Sequence, residues 1–254
     1  MTNDSTLATT ASRPPTRGRP AKSGATRSAV DLIRDHILNL SLAPGARIDD
    51  KLLMEQYGLG RTPAREAFNR LAAEGFIIIQ RNKGAYVRPL DIPHIRQFFD
   101  AYGASERLVG YFCQTQDPGL VHDLKRSLLR YEEVARQSLY LDMTLLNSEF
   151  HKRIAQATHN GYIYDFASRL YNHARRLSYF IYLMPLHPDH ELRGMQNSIC
   201  GDHHEIFDAI TAHDNEALVR ALTVHTELFH HWVMRAIGYM RGNNAPLPQG
   251  YEQQ

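Results

Sequence analysis

Two unlike sets of side chains carry most of the chemistry in this 254-residue chain. The first is imidazole: of 14 histidines only His36 lies before residue 90. His151 follows Asn147 by four positions, a spacing that puts both side chains on one face of a helix. His203 shares an apolar stripe with Ile199, Ile206 and Ile210, and His225 shares one with Leu218, Leu222, Leu228 and Trp232. Metal ligation is one chemistry open to such residues, but a histidine within an apolar stripe is more often a hydrogen-bonded core residue. Both readings stay open on spacing alone. His204, His230 and His231 are neighbours in sequence that face elsewhere. The second set is guanidinium: Arg61 and Arg65 stand four apart, one turn of helix from each other. The arginine fork can bond guanine O6 and N7 together. Thr62 and the backbone amides of the same helix start suit a phosphate.

The arginines need a helix to aim them. An apolar pattern at helix spacing runs from Ser28 through Val30, Ile33, Ile37, Leu38 and Leu40, and stops at Ala43-Pro44-Gly45. A short helix follows from Asp50 to Tyr57, ended by Gly58. A third is expected to open with Thr62 as its N-cap and Pro63 as its first residue, with Glu66 in reach of the cap. Ala64, Ala67, Phe68, Leu71 and Ala72 form its buried face, and Gly75 ends it. Phe76–Ile79 reads as a strand and Ala85–Val87 as its return. Arg81-Asn82-Lys83-Gly84 is the basic turn between them. Three helices and a basic-tipped hairpin make a winged helix-turn-helix. Arg70, one turn beyond Arg65, faces either a phosphate backbone or solvent.

The run Pro44-Gly45, Leu53, Gly58, Arg61-Thr62-Pro63-Ala64-Arg65-Glu66-Ala67, Leu71, Glu74-Gly75 and Gly84-Ala85-Tyr86-Val87 resembles the GntR family of transcription regulators. That resemblance implies that Arg61 and Arg65 contact bases or phosphates and that Lys51 also touches DNA. It further implies that Arg81, Lys83 and Gly84 enter the minor groove as the wing. The implied partner is double-stranded operator DNA, an inverted repeat read by a homodimer.

Past Pro89-Leu90-Asp91 the pattern is helical to about Met240, with punctuation for six or seven helices and no convincing strand pair. It resembles the FCD domain of the FadR branch, an all-α bundle with room for a ligand. Leu146-Asn147-Ser148-Glu149-Phe150-His151 resembles that domain's metal motif, and His203 and His225 fall where its other ligands stand. The resemblance thus implies a divalent ion on Asn147, His151, His203 and His225, zinc first and nickel or manganese next. Many relatives carry Asp where this chain has Asn147, so the ion loses an anionic ligand here. That deficit favours an incoming carboxylate, consistent with the family's sensing of small organic acids. Many relatives also have arginine near Tyr102. Arg175 is a candidate substitute for meeting an acid, and Tyr179 a candidate hydroxyl.

The expected fold class is mainly α: an N-terminal winged helix-turn-helix plus a C-terminal all-α, FCD-like bundle. The expected divisions are a disordered basic arm at 1–25, the DNA-binding domain at 26–90, the effector and dimerisation domain at 91–241, and a flexible tail at 242–254. Over residues 1–28, Arg13, Arg17, Arg19, Lys22 and Arg27 stand against Asp4 alone, before a charge balance that turns acidic past residue 90. Arg17-Gly18-Arg19-Pro20 resembles an AT-hook, suited to the narrow groove of A/T-rich DNA. Cys113 and Cys200 are too far apart for a CxxC site, and no segment reads as a membrane span or signal peptide. A cytoplasmic, effector-responsive regulator is therefore expected, not an enzyme. The alternatives are a metal-dependent enzyme using the three histidines, and a regulator with a lipid-like effector and no metal.

Overall fold

The computed structural model describes residues 28–81, 83–184 and 189–243. The basic arm with its Arg17–Pro20 motif, Asn82, the turn from Pro185 to Pro188 and the tail beyond residue 243 lie outside the described residues.

Helix α1 (Ala29–Leu38) starts at Ser28, whose side chain accepts from the Asp31 amide. It ends earlier than its apolar pattern suggests. Asn39 closes it, and Leu40 takes a φ of 59° and turns out of the helix line. Its buried side chain joins the C-terminal core instead. Strand β1 (Arg47–Ile48) is an element the sequence did not announce, since two residues carry no readable alternation. Helix α2 (Asp50–Tyr57) is capped by Asp49 and stopped by Gly58 in the left-handed region, as expected.

Helix α3 (Arg61–Ala73) corrects one expectation. Its N-cap is Gly60, with no side-chain cap bond, so Thr62 and Pro63 lie inside the first turn. Proline is tolerated there because first-turn amides have no intrahelical acceptor. The correction brings Arg61 into the helix as its first residue. Strands β2 (Ile77–Gln80) and β3 (Gly84–Val87) form the hairpin, and β1 adds to its far side, giving the antiparallel order β1-β3-β2.

Six further helices follow among the described residues: α4 (Ile92–Phe112), α5 (Leu120–Arg136), α6 (Tyr140–Gln156), α7 (Gly161–Leu183), α8 (Asp189–Thr211) and α9 (Asn215–Asn243). The chain is mainly α, as its patterning required. None of the described helices is long and apolar enough to cross a membrane. Two separate apolar cores result. One holds Ile33, Ile37, Leu53, Phe68, Leu71 and Val87, and the other is built from α4 to α9. Within the second, α4 crosses α9 so closely that a Cβ on Gly110 would stand 2.8 Å from Val219 Cγ2. Only glycine permits that approach.

Candidate functional site

On the N-terminal unit, α2, the start of α3 and the hairpin enclose a concave surface lined by Lys51, Arg61, Arg65, Arg81 and Gly84. Arg61 and Arg65 are exposed on one face of α3, as their spacing requires. Thr62 and Lys83 are also exposed but do not line the concavity. Arg70 turns away and pairs with Glu74 at 3.4 Å. Two lining residues escaped the sequence reading. Asn69 continues the Arg61–Arg65 line by a further four residues, and Gln80 ends β2 beside it. Both amides can donate and accept at base edges. The periodicity could have singled out Asn69.

The C-terminal unit brings together His151 of α6, His203 of α8 and His225 of α9. One ring nitrogen from each lies within 4.8 Å of the others, and all three residues are buried. Their ring centroids are 4.9 to 5.6 Å apart. Neither nitrogen of His151 or of His203 has a hydrogen-bond partner. Buried polar atoms are nearly always satisfied, so unsatisfied nitrogens on two facing rings require an explanation. A shared cation supplies one. Burial, with the neighbouring His225 and His151, holds the His203 pKa well below its ordinary value. Burial also lowers that of His225, against an opposing hydrogen bond from Asp202. Neutral imidazoles with available lone pairs are the form that binds a metal. His225 Nδ1 lies 3.2 Å from Asp202 Oδ2. Nδ1–H donating to that carboxylate leaves Nε2 as the ligand atom, the usual carboxylate–histidine arrangement behind a metal. The residues present fit a divalent ion.

Sequence reasoning missed Glu106. It lies on α4 with no exposed surface, and its Oε2 is 3.5 Å from His151 Nδ1. Burial first, then this carboxylate, pushes the Tyr102 and Tyr171 hydroxyls well above their ordinary pKa. Its signal was present: Ile95, Phe98, Phe99, Tyr102 and Val109 define the buried stripe of α4, and Glu106 sits on it.

His225 also lines a cavity that is partly open to solvent. Asn147 and Tyr102 line it as well, so two further expected site residues converge here. Arg175 and Tyr179 do not line it. Tyr179 is buried in the helical core. Arg175, largely desolvated, feels the charges of Asp35 on α1 and Glu149 on α6 instead. It belongs to the junction between the two units.

Helix α7 spans both regions. Ser178, Ile181 and Tyr182 line the cavity. A few turns earlier, His173 stacks on Phe76 with centroids 4.2 Å apart, and its Nε2 lies 2.8 Å from the Glu74 carbonyl that closes α3. Arg176 donates to the Arg88 carbonyl at 2.7 Å. Gly75, with φ +87°, lets the chain turn here, and a Cβ in its place would meet His173 Nε2 at 3.3 Å.

Comparison with known proteins agrees with this two-part layout. Residues 25–87 match "Bacterial regulatory proteins, gntR family", and residues 106–228 match the FCD domain. The HTH-type transcriptional repressor RspR of Escherichia coli strain K12 is 24% identical over 201 residues, covering 77% of this chain and 83% of that protein. The Nta operon transcriptional regulator of Aminobacter aminovorans is 33% identical over 118 residues, 46% of this chain and 56% of the relative. A solved structure, a putative transcriptional regulator GntR from Rhodococcus sp. RHA1, shares the fold with a TM-score of 0.66 at 20% identity. It covers 81% of this chain and 95% of that one. The chain belongs to the gntR family of bacterial regulatory proteins: it is a DNA-binding transcription regulator with a C-terminal FCD domain, and not an enzyme.

Proposed function

We propose that this regulator senses a small carboxylate at a divalent metal centre on Asn147, His151, His203 and His225, with zinc the first candidate. The single observation that carries this reading is the triad of buried histidines, two of which have no hydrogen-bond partner for their ring nitrogens. When bound, the ion would supply positive charge and open coordination positions for an acid. Asp202 orients His225, and the buried carboxyl group of Glu106 stands behind His151, where it can take the place of the acidic group missing at Asn147.

The DNA contacts in this reading are Lys51, Thr62, Arg61, Arg65, Arg81, Lys83 and Gly84, around the concave face of the winged unit. The domain division falls near residue 90, between the two apolar cores. The acting species is a homodimer on an inverted repeat. The exposed apolar side chains Leu108, Tyr111 and Phe112 of α4, 40%, 71% and 47% accessible, offer a face for the second copy. Helix α7 couples the sites, because one rigid rod touches both the cavity wall and the end of α3. Coupling needs a difference in effector affinity between operator-competent and incompetent placements of the winged unit.

The test is metal content. Purified wild-type protein should retain close to one divalent ion per chain, and His203→Ala should lose it while binding operator DNA as before. Full occupancy in the variant would sink the metal centre.

A further inference from the structure

We infer that the effector is a monocarboxylic acid with an apolar, aromatic-compatible body, and not a di- or tricarboxylic or polyhydroxy acid. The inference rests on the metal reading above, and it concerns the rest of the cavity. Its polar lining is short: His225, Asn147, Thr144 and Ser178, besides three tyrosines. The rest is aliphatic, sulfur-bearing or aromatic, from Met143, Ile181, Met195, Ile199, Leu228, Phe229 and Trp232. Among the described residues no lysine or arginine lines the cavity. Arg175, the expected cation, points its charge to the junction with α1 instead.

Three tyrosines line the cavity, but they are less polar than they look. The Tyr131 and Tyr182 hydroxyls hydrogen-bond each other, so this pair satisfies itself. Tyr102 is fully buried. A second carboxylate placed against this wall would be desolvated without a counter-charge, which is strongly unfavourable. A ring or short alkyl chain replaces water against apolar surface and gains by it. Aromatic neighbours favour a ring further through offset or edge contacts. The lining therefore selects one acid head at the metal and an apolar body beyond it.

Trp232 is the chain's one tryptophan and lines the cavity, so its emission reports occupancy of this site. The experiment titrates the full-length protein, zinc-loaded and chelator-stripped, with phenylacetate, hexanoate, malate and citrate. Trp232 fluorescence and Tm are read together. Phenylacetate and hexanoate should act on the loaded protein at concentrations at least ~10-fold below malate and citrate, since a tenfold preference is the smallest one expected from excluding a charge. Chelation should abolish the response. A preference for malate or citrate in loaded protein overturns the inference and leaves the metal reading standing. An equal response to phenylacetate after chelation overturns the metal reading and keeps the apolar acid, in the manner of a lipid-like effector. No response to any of the four in protein verified to hold zinc overturns the inference. As a converse, Leu228→Arg sets a cation into the half-buried wall and should shift preference towards malate; an unchanged order in a folded variant counts against the wall as the selector.

Discussion

The two functional regions of this regulator are built on opposite physical plans. The concave surface proposed to meet the operator draws its residues from one stretch, Ile48 to Ala85, and leaves its charged side chains exposed. The histidine centre draws on α4, α6, α8 and α9, across more than a hundred residues, and buries its three histidines and Glu106. A surface that meets a polyanion needs charges in water, where each contributes modestly and salt screens it. A centre that must hold one ion needs donors kept out of water and left without other partners. Removing a contact should therefore have graded effects in the first region, and removing a histidine ligand an all-or-none effect in the second.

The sharpest way to break that contrast is a crossed pair of substitutions. His203→Ala should lose metal outright and remove the effector response, with operator affinity in the absence of effector unchanged. Arg61→Ala should keep the metal and weaken operator binding by about 1–3 kcal/mol, with specificity loosened at one base position. Metal analysis and operator titrations on both variants give four numbers. If Arg61→Ala altered metal content, or His203→Ala abolished basal operator binding, the two regions would not be the separable units described here.

How each region showed in the sequence follows the same division. The winged unit was legible because its cues are local: Gly58 after α2, the arginine pair, and the basic turn at the hairpin. Its misreadings were local too. Thr62-Pro63 looks like a helix start, but Gly60 provides the extended residue a helix can follow, and Pro63 needs no acceptor in the first turn. Leu40 continued an apolar period that its backbone does not follow, because its side chain serves the other core. In the helical unit, Asn147 and His151 were legible as a one-turn pair. Glu106 could be placed on the buried stripe of α4, but its partner His151 lies 45 residues away, and the two come together only where α4 and α6 both pack on α7. That Arg175 does not line the cavity was hidden for a similar reason: a position on α7 does not reveal which neighbour that face meets.

Glu106 sharpens the comparison at the next level. It brings a buried carboxyl group beside His151 and does not line the cavity, so in the proposed metal centre its part would be to position His151. Glu106→Gln keeps the shape and removes the carboxyl group. Zinc affinity, measured by competition with a chelator, should fall about 10–100-fold, the usual cost of losing a partner behind a ligand. Operator binding without effector should not change. An unaltered zinc affinity would assign the supporting acidic group elsewhere, with Asp202 the first place to look.

The smallest expected effect lies where the two regions touch. Burial lowers the His173 pKa from the ordinary 6.5 to about 4, with Arg176, His94 and Arg88 adding to the shift. The ring is neutral when docked on Phe76 and the Glu74 carbonyl. Its folded pKa is depressed, so between pH 6.5 and 4 the undocked or unfolded chain binds more protons than the docked one. Stability contributed by this contact is thus complete above about pH 6.5 and falls as pH drops towards 4, by no more than about 1.4 kcal/mol per unit. His94 is lowered by burial and Arg88 and responds in the same direction, so wild type alone cannot isolate His173. His173→Phe can: it keeps an aromatic ring against Phe76, removes the bond to Glu74, and leaves His94 in place. The stability difference between the two proteins, from denaturant titrations at pH 7, 6, 5 and 4, should shrink steadily as the pH falls. Parallel curves would mean that the junction does not depend on a neutral His173, and that α7 touches the winged unit without holding it.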